Sequence, residues 1–423
     1  MSILGGVWGA NRGPTSGVAK PSEWLNNLLG GRTSATGINV TEMKALQHTA
    51  VYACVHILAQ TLATLPLNVF QSQSSGGKQK AVNHQLYPVL HKAANSEMSS
   101  FAWRETIQGH VGLWGNGYSE IEFNNAGQII GLWPLRPDKT WPYRNPETKE
   151  LEYYTTLPSG PTVKLPKNRV LHIAGFGFDG IRGYNPIDLA CQSIGIGLAA
   201  EEYGARFFGN GATVSGVLEH PGDLGEDGRK NLRQSFEEMH SGLNKSHRLM
   251  ILEEGLKYNQ IGIPPQTAQY LETRKFAVTD IARFWHVPPH MIADLDKSTN
   301  NNIEHQSLEF VMHTMLPWLT RWEQAMDMKL IFAREKAGVN SSYFTKFMIN
   351  GLMRGDSKSR SEFYHNARLD GWMNANDIRE LEDMNPIDGV AGTEYWMPVN
   401  MTSADQPIVP NGSNGRTLTG GGE

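Results

Sequence analysis

The chain has 423 residues, of which 39% are hydrophobic and 19% are charged. This length exceeds the size at which one hydrophobic core usually stops growing, and the composition excludes a small disulfide-stapled domain, so we expect two or three packed modules. The 38 Lys and Arg residues against 42 Asp and Glu residues give a formal charge of -4, which excludes the strongly basic proteins that hold nucleic acid tightly.

The two cysteines of the sequence, Cys54 and Cys191, lie far apart in apolar stretches. This separation favours buried free thiols over a disulfide framework or a thiolate metal site. No segment reaches the roughly 18 consecutive apolar residues of a membrane span, and the N-terminus lacks the apolar run of a secretory signal. The sequence therefore predicts a soluble, cytoplasmic protein.

The first part of the chain predicts an arm, a helix and a hairpin. Residues 1–40 are rich in Gly, Ser and Thr and are expected to be flexible. From Leu46 onwards apolar residues recur at three- and four-residue spacing, which predicts an amphipathic helix ended by Pro66. Leu67–Phe70 has a strand pattern, and the Ser, Gly and Gln residues of 71–80 predict an exposed hairpin turn.

Residues 99–185 mix helical and strand patterns. A helix is predicted over Phe101–Trp114 and a strand over Tyr118–Phe123. Asn124–Gly127 has the composition of a hairpin turn. Together these elements predict an α+β module.

A second long stretch with helical spacing of apolar residues begins at Pro186, a residue suited to a first helical turn. The predicted helix ends at the glycines of Gly209–Gly211. Three glycines, Gly195, Gly197 and Gly204, lie inside it. Each costs about 1 kcal/mol relative to alanine in a helix interior. We therefore expect an offsetting benefit, of which close approach to a neighbouring helix is the simplest.

Residues 212–263 form a small insertion between two helical stretches. They are predicted to contain a strand at Val214–Leu218 and a charged helix at Glu226–His240. A hairpin is predicted to join Leu249–Leu252 to Lys257–Ile261.

After the insertion the pattern returns to helices. One is predicted over Pro265–Trp285, where the following prolines end it. Asp294–Asn302 is a polar loop without an apolar anchor. The longest predicted helix covers 303–338 and spans roughly 50 Å at 1.5 Å per residue, with a kink at Pro317.

The C-terminal part, residues 341–400, predicts two short helices, at Ser359–Leu369 and Ala375–Asp383. Residues 401–423 have the composition of a disordered tail. The sequence shows no internal repeat of fixed period, which argues against a solenoid or a propeller.

The best candidate for enzyme chemistry is a group of metal-binding residue types, His286, His290, Asp294 and Asp296. Two imidazoles four residues apart resemble a zinc pair, but the intervening prolines prevent the helix that such a pair needs. The sequence also lacks a phosphate-binding loop and a nucleophile elbow. A metal-dependent hydrolase therefore remains the alternative, and we assign no catalytic, metal or cofactor residue.

Short motifs follow one another from Ala45 to Asn400 in a recognisable order. They comprise Ala45–Leu46, His48–Val55, Leu65–Leu67, Gly115–Tyr118, Val170–Ile173, Asp179–Gly180, Ala200–Tyr203, Phe207–Ala212, Ser215–Leu218, Ile281–Phe284, His286–Pro289, Leu316–Pro317 and Asn385–Pro386. Each motif alone is weak, but the ordered set resembles the portal proteins of tailed bacteriophages of the long-tailed, siphovirus-like type. The resemblance covers most of the chain.

This resemblance implies an α+β portal fold in which identical subunits, usually twelve, form a ring around a central channel. It also implies that the chain is not an enzyme and needs no cofactor. The implied regions are a flexible N-terminal arm (1–40), wing (41–185), first stem helix (186–211), clip (212–263), second stem helix and turn (264–292), tunnel loop (293–302), long kinked wing helix (303–339), crown (340–400) and disordered tail (401–423).

The resemblance implies a set of partners as well. These are further copies of the chain, double-stranded DNA passing through the channel, the terminase large subunit, the major capsid protein and a head–tail connector or adaptor, but no membrane. The implied location is the portal vertex of the capsid in the virion, with the host cytoplasm during assembly. Another ring component of the head–tail junction is a further alternative, but those chains are usually much shorter.

Two sets of residues are the candidate contact sites. The tunnel-loop set, expected to make weak contacts with DNA phosphates, consists of Lys297, Ser298, Thr299, Asn300, Asn301 and Asn302. The clip set, expected to dock the terminase and later the connector proteins, consists of Lys230, Arg233, Glu237 and Glu238. The simpler alternatives are a solvated loop and a solvated helix face.

Overall fold

The computed structural model describes residues 31–74, 77–209, 216–222, 225–231, 234, 255–260, 267–295, 306–335, 338–349, 357–382 and 384–396. These residues divide into two compact units, and the boundary lies between Ile349 and Asn350. Within the described ranges, no helix is both long enough and apolar enough to span a bilayer.

The described strands all belong to the first unit and pair in antiparallel fashion. They are β1 (Arg32–Thr33), β2 (Asn39–Val40), β3 (Leu67–Ser72), β4 (Lys78–Lys80), β5 (Asn116–Phe123), β6 (Ile129–Leu135), β7 (Thr140–Arg144), β8 (Leu151–Thr156), β9 (Thr162–Pro166), β10 (Val170–Ala174), β11 (Gly216–Glu219), β12 (Lys257–Gln260) and β13 (Tyr343–Phe347). They form three-stranded sheets in the orders β13-β3-β4, β10-β5-β6 and β7-β8-β9, and the pairs β1-β2 and β11-β12.

The helices of this unit begin and end at local capping signals. Ser99 begins α4 by accepting a hydrogen bond from the Ala102 N–H at 3.1 Å, and Gly115 ends it in a left-handed conformation with φ 72°. Leu65 ends α2 in an extended conformation because Pro66 follows. The described helices are α1 (Glu42–Ala45), α2 (Thr49–Thr64), α3 (Tyr87–His91), α4 (Ser100–Trp114), α5 (Pro186–Leu189), α6 (Cys191–Gly209), α7 (Thr267–Phe284) and α8 (Leu316–Met326).

Several sequence predictions are confirmed in these elements. The predicted helices that end at Pro66 and Trp114 correspond to α2 and α4, and the predicted helix over Pro265–Trp285 corresponds to α7. The hairpin after Leu67 is β3-β4, and the turn at Asn124–Gly127 joins β5 to β6. Cys54 and Cys191 are buried free thiols.

The core of the first unit is centred on α4. On one side α2 packs along it, and the two helices approach closely because Gly112 has no side chain: a Cβ there would lie 3.2 Å from Val55 Cγ1. On another side the Trp103 ring meets the Trp322 ring of α8 edge-on, with centroids 5.4 Å apart. The helix α4 thus joins α2 and α8 into one packed layer.

Both tryptophans of this contact are fully buried and have partners for their indole N–H groups. Trp103 Nε1 donates to Ser119 Oγ at 3.0 Å, and Trp322 Nε1 donates to Gln108 Oε1 at 2.8 Å. Buried polar groups are stable only when they are paired, so these two bonds fix the orientation of the rings.

Arg104 is a buried cation in the same core. Its Nε donates to Ser100 O at 3.1 Å, its Nη1 donates to Leu65 O, and its guanidinium lies 6.0 Å from the Phe347 ring centroid. Burial lowers the pKa of Arg104 to about 10. The side chain therefore ties the end of α2 and the strand β13 to α4.

The predicted single helix from Pro186 is wrong in one respect, because the chain forms two helices there. Asn185 caps α5 by accepting from the Ile187 and Asp188 N–H groups, and Ala190 leaves the helical conformation at φ -87° and ψ 6° before α6 begins. No glycine or proline stands at this break, so the sequence pattern continues through it.

The predicted continuous helix over 303–338 also needs correction. The described part contains π-helical turns at Phe310–Met315 and Asp327–Phe332 on either side of α8. Pro317 stands in the first turn of α8, where it has no N–H to continue the regular ladder, and Leu316 N instead bonds to Val311 O, five residues back. The proline coincides with a change of helix type.

Two strand predictions change as well. The strand Lys257–Gln260 pairs with Gly216–Glu219, whereas the predicted partner Leu249–Leu252 lies outside the described residues. The strand Tyr343–Phe347 was not predicted at all. It pairs with β3 from Phe347↔Leu67 to Tyr343↔Gln71 and buries Phe347, so residues 340–349 belong with the first unit and not with the region assigned to 340–400.

The second unit contains short helices, as predicted. They are α9 (Ser357–Leu369), α10 (Ala375–Leu381) and α11 (Val390–Thr393). Asn374 begins α10 with a capping box, in which its side chain and that of Asp377 each accept from the backbone N–H of the other.

Candidate functional site

The predicted tunnel-loop residues Lys297, Ser298, Thr299, Asn300, Asn301 and Asn302 lie outside the described residues, which flank them at 293–295 and from Gln306 onwards. On one side the 3-10 turn Pro289–Ile292 ends at Ala293, which has φ 64°. On the other side the described chain resumes at Gln306. The structure thus describes the chain on both sides of residues 296–305.

His290 bridges the two ends. Its Nδ1 lies 2.8 Å from Gln306 Oε1, and its Nε2 lies 3.4 Å from Ser307 Oγ. Both ring nitrogens therefore face the chain that leaves the loop. This bridge brings residue 290 next to residues 306 and 307, on the two sides of 296–305.

The metal-site alternative finds no support in the described residues. His286 has φ 55° and its carbonyl accepts from Thr314 Oγ1 at 2.7 Å, while both nitrogens of His290 face Gln306 and Ser307. Asp296 lies outside the described residues. Within the part of the chain that is described, no three His, Cys, Asp or Glu side chains converge to hold an ion.

The predicted docking set of the clip is only partly described. Lys230 lies in a helical stretch over 226–231 and is exposed, as predicted. Arg233, Glu237 and Glu238 lie outside the described residues. The docking role of the four residues stays a prediction.

The helices α6 and α7 pack side by side, and the interior glycines of α6 mark their close contacts. A Cβ at Gly204 would lie 1.9 Å from Tyr270 Oη on α7, and a Cβ at Gly197 would lie 2.5 Å from His48 Nε2. At Gly195 the nearest atom is Ser34 Oγ, 2.3 Å away. The expected close approach to a neighbouring helix is confirmed at Gly204, whereas Gly197 meets the cap of α2 and Gly195 meets a loop of the same chain.

Polar contacts reinforce this helix pair. Ser193 Oγ donates to Asp280 Oδ2 at 2.5 Å, and Arg274 Nη2 lies 4.0 Å from Glu201 Oε1. His48 Nε2 lies 3.9 Å from the same carboxylate oxygen. Burial lowers the pKa of His48, and the Glu201 charge opposes that shift, so the imidazole is largely neutral at pH 7 and serves mainly as the cap of α2.

The outer faces of these helices carry large apolar side chains that the chain itself leaves open. Between α6 and α7 lies a shallow, open apolar depression, lined by residues that include Thr36, Ile196, Ala200, Tyr203 and Tyr270. Side chains of this size are usually buried in monomeric proteins, and a contiguous set of them marks an interaction surface. The exposed members on α5, α6 and α7 are Leu189, Ile196, Tyr203, Leu271 and Phe276.

A second exposed apolar feature is the loop between β10 and α5, residues 175–184, which we call the aromatic loop. Phe176 and Phe178 are 74% and 91% exposed. The sequence analysis did not single out this loop. Its signal was the alternation of Phe with glycine after the buried strand Val170–Ala174.

A buried network of hydrogen bonds anchors the aromatic loop. Asn116 Nδ2 donates to Gly183 O at 2.9 Å, and Gly183 N donates back to Asn116 Oδ1 at 2.9 Å. His172 Nε2 lies 3.0 Å from the same Oδ1, and Tyr153 Oη lies 3.4 Å from His172 Nδ1. Burial, with Lys329 nearby, lowers the pKa of His172 to about 3, so the neutral ring donates from Nε2 and accepts at Nδ1.

Four cations gather at the other end of the same sheet. Lys329 Nζ donates to Lys167 O at 2.6 Å, and Arg334 Nη2 donates to Asn168 O at 2.7 Å. Arg334 and Arg169 both lie over the Phe123 ring, at 4.2 and 6.0 Å from its centroid. Burial and the charges of Lys167 and Arg334 lower the pKa of Lys329 to about 8. These cations hold the 3-10 turn at 167–169 against the helical segment that follows α8.

Comparison with known proteins gives consistent matches. A family model described as "Phage portal protein" matches residues 49–383. The chain is 33% identical over 392 residues to the probable portal protein of Streptomyces phage phiC31, covering 90% of this chain and 84% of that protein. It is 32% identical over 359 residues to the portal protein of Enterobacteria phage HK97, covering 83% and 82%.

A solved structure shares the fold. It is the neck of a native gene transfer agent particle computed with C12 symmetry, with a TM-score of 0.55 and 22% sequence identity over 81% of this chain and 93% of that one. The likeness extends over most of both chains and confirms the α+β fold class that the sequence predicted.

Proposed function

The chain belongs to the phage portal protein family, a family of structural proteins and not of enzymes, and we propose that it forms the twelve-subunit channel at one vertex of a phage capsid. In this proposal double-stranded DNA enters through the channel during packaging and leaves through it during ejection. The subunit is then a virion component that assembles in the host cytoplasm.

The observation that carries the ring is the set of apolar side chains left open on α5, α6 and α7. Apolar side chains that are exposed together on one face mark an interaction surface, and a ring subunit needs such surfaces to contact its neighbours. The twelvefold symmetry used for the gene transfer agent neck, which shares this fold, supports a ring of twelve.

For the channel we propose that Lys297, Asn300, Asn301 and Asn302, with Ser298 and Thr299 beside them, make weak contacts with the DNA backbone. The chain has a formal charge of -4, and a sliding duplex needs weak, evenly spread contacts more than a basic clamp. The contacts of His290 with Gln306 and Ser307 support this proposal because they bring together the described segments that flank residues 296–305.

Deletion of 296–302 tests the channel role. We expect intact rings that package less DNA per capsid, measured as DNA mass per assembled particle. Full packaging by rings of the deletion variant would contradict it. A variant with Lys139→Glu, an exposed residue outside both candidate sets, is the control for a general loss of particle assembly.

For the clip we propose that Lys230, Arg233, Glu237 and Glu238 dock the terminase large subunit and later the head–tail connector, while the major capsid protein surrounds the ring elsewhere. Reversal of the charges at Arg233 and Glu237 is expected to weaken terminase binding to preformed rings at least tenfold, because like charges then face each other across the interface. Unchanged binding in a pull-down at physiological salt would reject this docking surface.

The proposed function as a whole is tested by the native mass of the purified protein and by single-particle images. We expect a mass close to twelve times the 47.0 kDa subunit and a particle with a central hole. A compact monomer or dimer that fails to enter rings even with capsid and scaffold proteins present would contradict the proposal.

A further inference from the structure

We infer that Lys167, Arg169, Lys329 and Arg334, which we call the cation cluster, form a binding site for a phosphate group. The group is either free inorganic phosphate or a phosphate of a nucleic-acid backbone, and the two share the chemistry that the cluster recognises. The cation cluster belongs to the folded subunit, so its binding of phosphate does not depend on the proposed ring.

The four cations lie around one short turn of the backbone. The Lys329 ammonium donates to the carbonyl of Lys167 at 2.6 Å, and the Arg334 guanidinium donates to the carbonyl of the next residue at 2.7 Å. The guanidinium carbons of Arg334 and Arg169 lie 4.2 and 6.0 Å from the centroid of the Phe123 ring. Neighbouring carbonyls and one aromatic ring thus hold these cationic groups close to one another.

No carboxylate balances this charge in the part of the chain that the structure describes, where none of the four side chains forms an ion pair. Acidic residues do stand within two positions of the cluster or of Phe123 in the sequence, but each has another partner. The pairs are Asp327 with Thr345, Glu335 with His84 and Glu122 with Trp133. The cation cluster therefore has no counter-charge among the described residues.

The missing counter-charge has an energetic cost in the folded chain. Burial, together with the charges of Lys167 and Arg334, lowers the pKa of Lys329 to about 8. In addition, Arg334 Nε is buried and has no hydrogen-bond acceptor among the described residues. An opposite charge at the cluster stabilises the protonated lysine and offsets the repulsion between the cations, so the folded chain favours an anion at this position.

The donors of the cluster fit a phosphate better than a carboxylate. A guanidinium presents planar N–H groups that pair with two oxygens at once, and a lysine ammonium adds a compact point charge. A carboxylate carries one charge, whereas free phosphate carries about two at neutral pH and a nucleic-acid backbone presents its charges in a row. The side chain of Lys167 is exposed and the other three are partly exposed, so an anion reaches them from solvent.

Calorimetric titration of the purified full-length subunit with inorganic phosphate tests the site. We expect saturable binding at low salt, and at least tenfold weaker binding by the variant Lys167→Gln. This substitution removes one charge but keeps the described contact of residue 167, because the Lys329 ammonium bonds to its backbone carbonyl. The thermal melting of the variant should therefore match that of the wild type.

The matched control is Lys164→Gln, three positions earlier in the chain. Lys164 Nζ lies 2.7 Å from Glu152 Oε1, so this lysine already has a counter-charge. The control should bind phosphate as tightly as the wild type does. Equal phosphate binding by the Lys167 and Lys164 variants, or no saturable binding by the wild type at millimolar phosphate, would overturn the inference.

Competition distinguishes the two sources of phosphate. A short DNA duplex without terminal phosphates that displaces phosphate from the wild type, and binds Lys167→Gln more weakly, assigns the site to a nucleic-acid backbone. A duplex that does not compete while phosphate binds assigns the site to free phosphate, and either result supports the inference. A polyglutamate peptide that binds through Lys167 when phosphate does not bind would overturn it in favour of a carboxylate partner.

Proton uptake gives an independent readout of direct contact with Lys329. The charged and titratable groups that face this lysine are Lys167, Arg334 and His172, of which His172 stays neutral because its pKa is about 3. A bound phosphate should raise the lowered pKa of Lys329, so binding at about pH 9 should take up protons. Calorimetry in two buffers of different ionisation enthalpy measures this uptake, which Lys329→Met should abolish; equal uptake by that variant would overturn the inference.

Discussion

Two regions of the first unit differ in how completely they bury their large apolar side chains. One surrounds α4, and the other comprises α6 and α7. Around α4, the rings of Trp103 and Trp322 are fully buried and their N–H groups have partners. On α6 and α7, Tyr203 and Phe276 remain 47% and 62% exposed. Around α4 the chain buries its own large apolar side chains, whereas on α6 and α7 it leaves several of them exposed.

This difference indicates which substitutions should unfold the subunit and which should only disturb assembly. Changes around α4 remove contacts that exist in the isolated chain, so they lower its free energy of unfolding. Changes on the exposed faces of α6 and α7 remove few contacts within the chain, so they should leave its free energy of unfolding nearly unchanged and, in the proposed ring, disturb assembly. The predictions below are ordered from the largest expected effect on stability to the smallest.

Trp322→Ala should have the largest effect, a loss of about 3 to 5 kcal/mol in the free energy of unfolding, because it leaves a cavity beside Trp103 and frees the Gln108 side chain. Chemical denaturation of the purified subunit measures it. Trp141→Ala is the control, since Trp141 is 37% exposed, and it should cost at most about 1 kcal/mol. Equal losses in the two variants would contradict the contrast between regions.

Arg104→Met should cost about 2 kcal/mol, because it keeps the apolar stem but removes the charged donors from Leu65 O and Ser100 O. Its control is Arg206→Met on α6, whose side chain is 76% exposed and which should change stability by less than about 0.5 kcal/mol. A neutral Arg104→Met would show that the buried guanidinium contributes no net stability, as happens for some buried ions.

Gly204→Ala and Gly109→Ala should act in opposite directions. At Gly109, inside α4, nothing lies within 4 Å of a new Cβ, so alanine should stabilise the subunit by up to about 1 kcal/mol through helix propensity. At Gly204 the Cβ meets Tyr270 Oη at 1.9 Å, so we expect a net loss of about 1 kcal/mol. Thermal melting of both variants measures this, and a stabilising Gly204→Ala would show that Tyr270 moves freely.

Lys329 should give the smallest effect, a pH dependence below about 1 kcal/mol, because the side chain is only partly buried. Its pKa is lowered to about 8 in the folded chain from an ordinary 10.5. Between these values the unfolded chain binds the proton and the folded chain does not, so this group raises stability as pH rises. The difference in the free energy of unfolding between wild type and Lys329→Met, measured across this pH range, isolates the contribution of Lys329. A difference that falls as the pH rises would contradict the lowered pKa.

The sequence by itself determined the elements whose signals are local. Pro66 ends α2 by restricting the residue before it, Gly115 ends α4 by adopting a left-handed conformation, and Asn124–Gly127 turns β5 into β6. The ordered motifs from Ala45 to Asn400 also sufficed to indicate the family. Each of these depends on residues that are neighbours along the chain or on a pattern that covers it.

Tertiary structure alone decided the features that depend on distant residues. The strand Tyr343–Phe347 forms because Phe347 is buried opposite Leu67, nearly 280 residues away along the chain, and the break at Ala190 carries no local breaker. At the candidate sites, the polar loop after Asp294 was readable from composition, but its closure by His290 and Gln306 was not. Which apolar side chains stay exposed, Phe178 above all, is set by what packs against them, and no pattern of spacing contains that information.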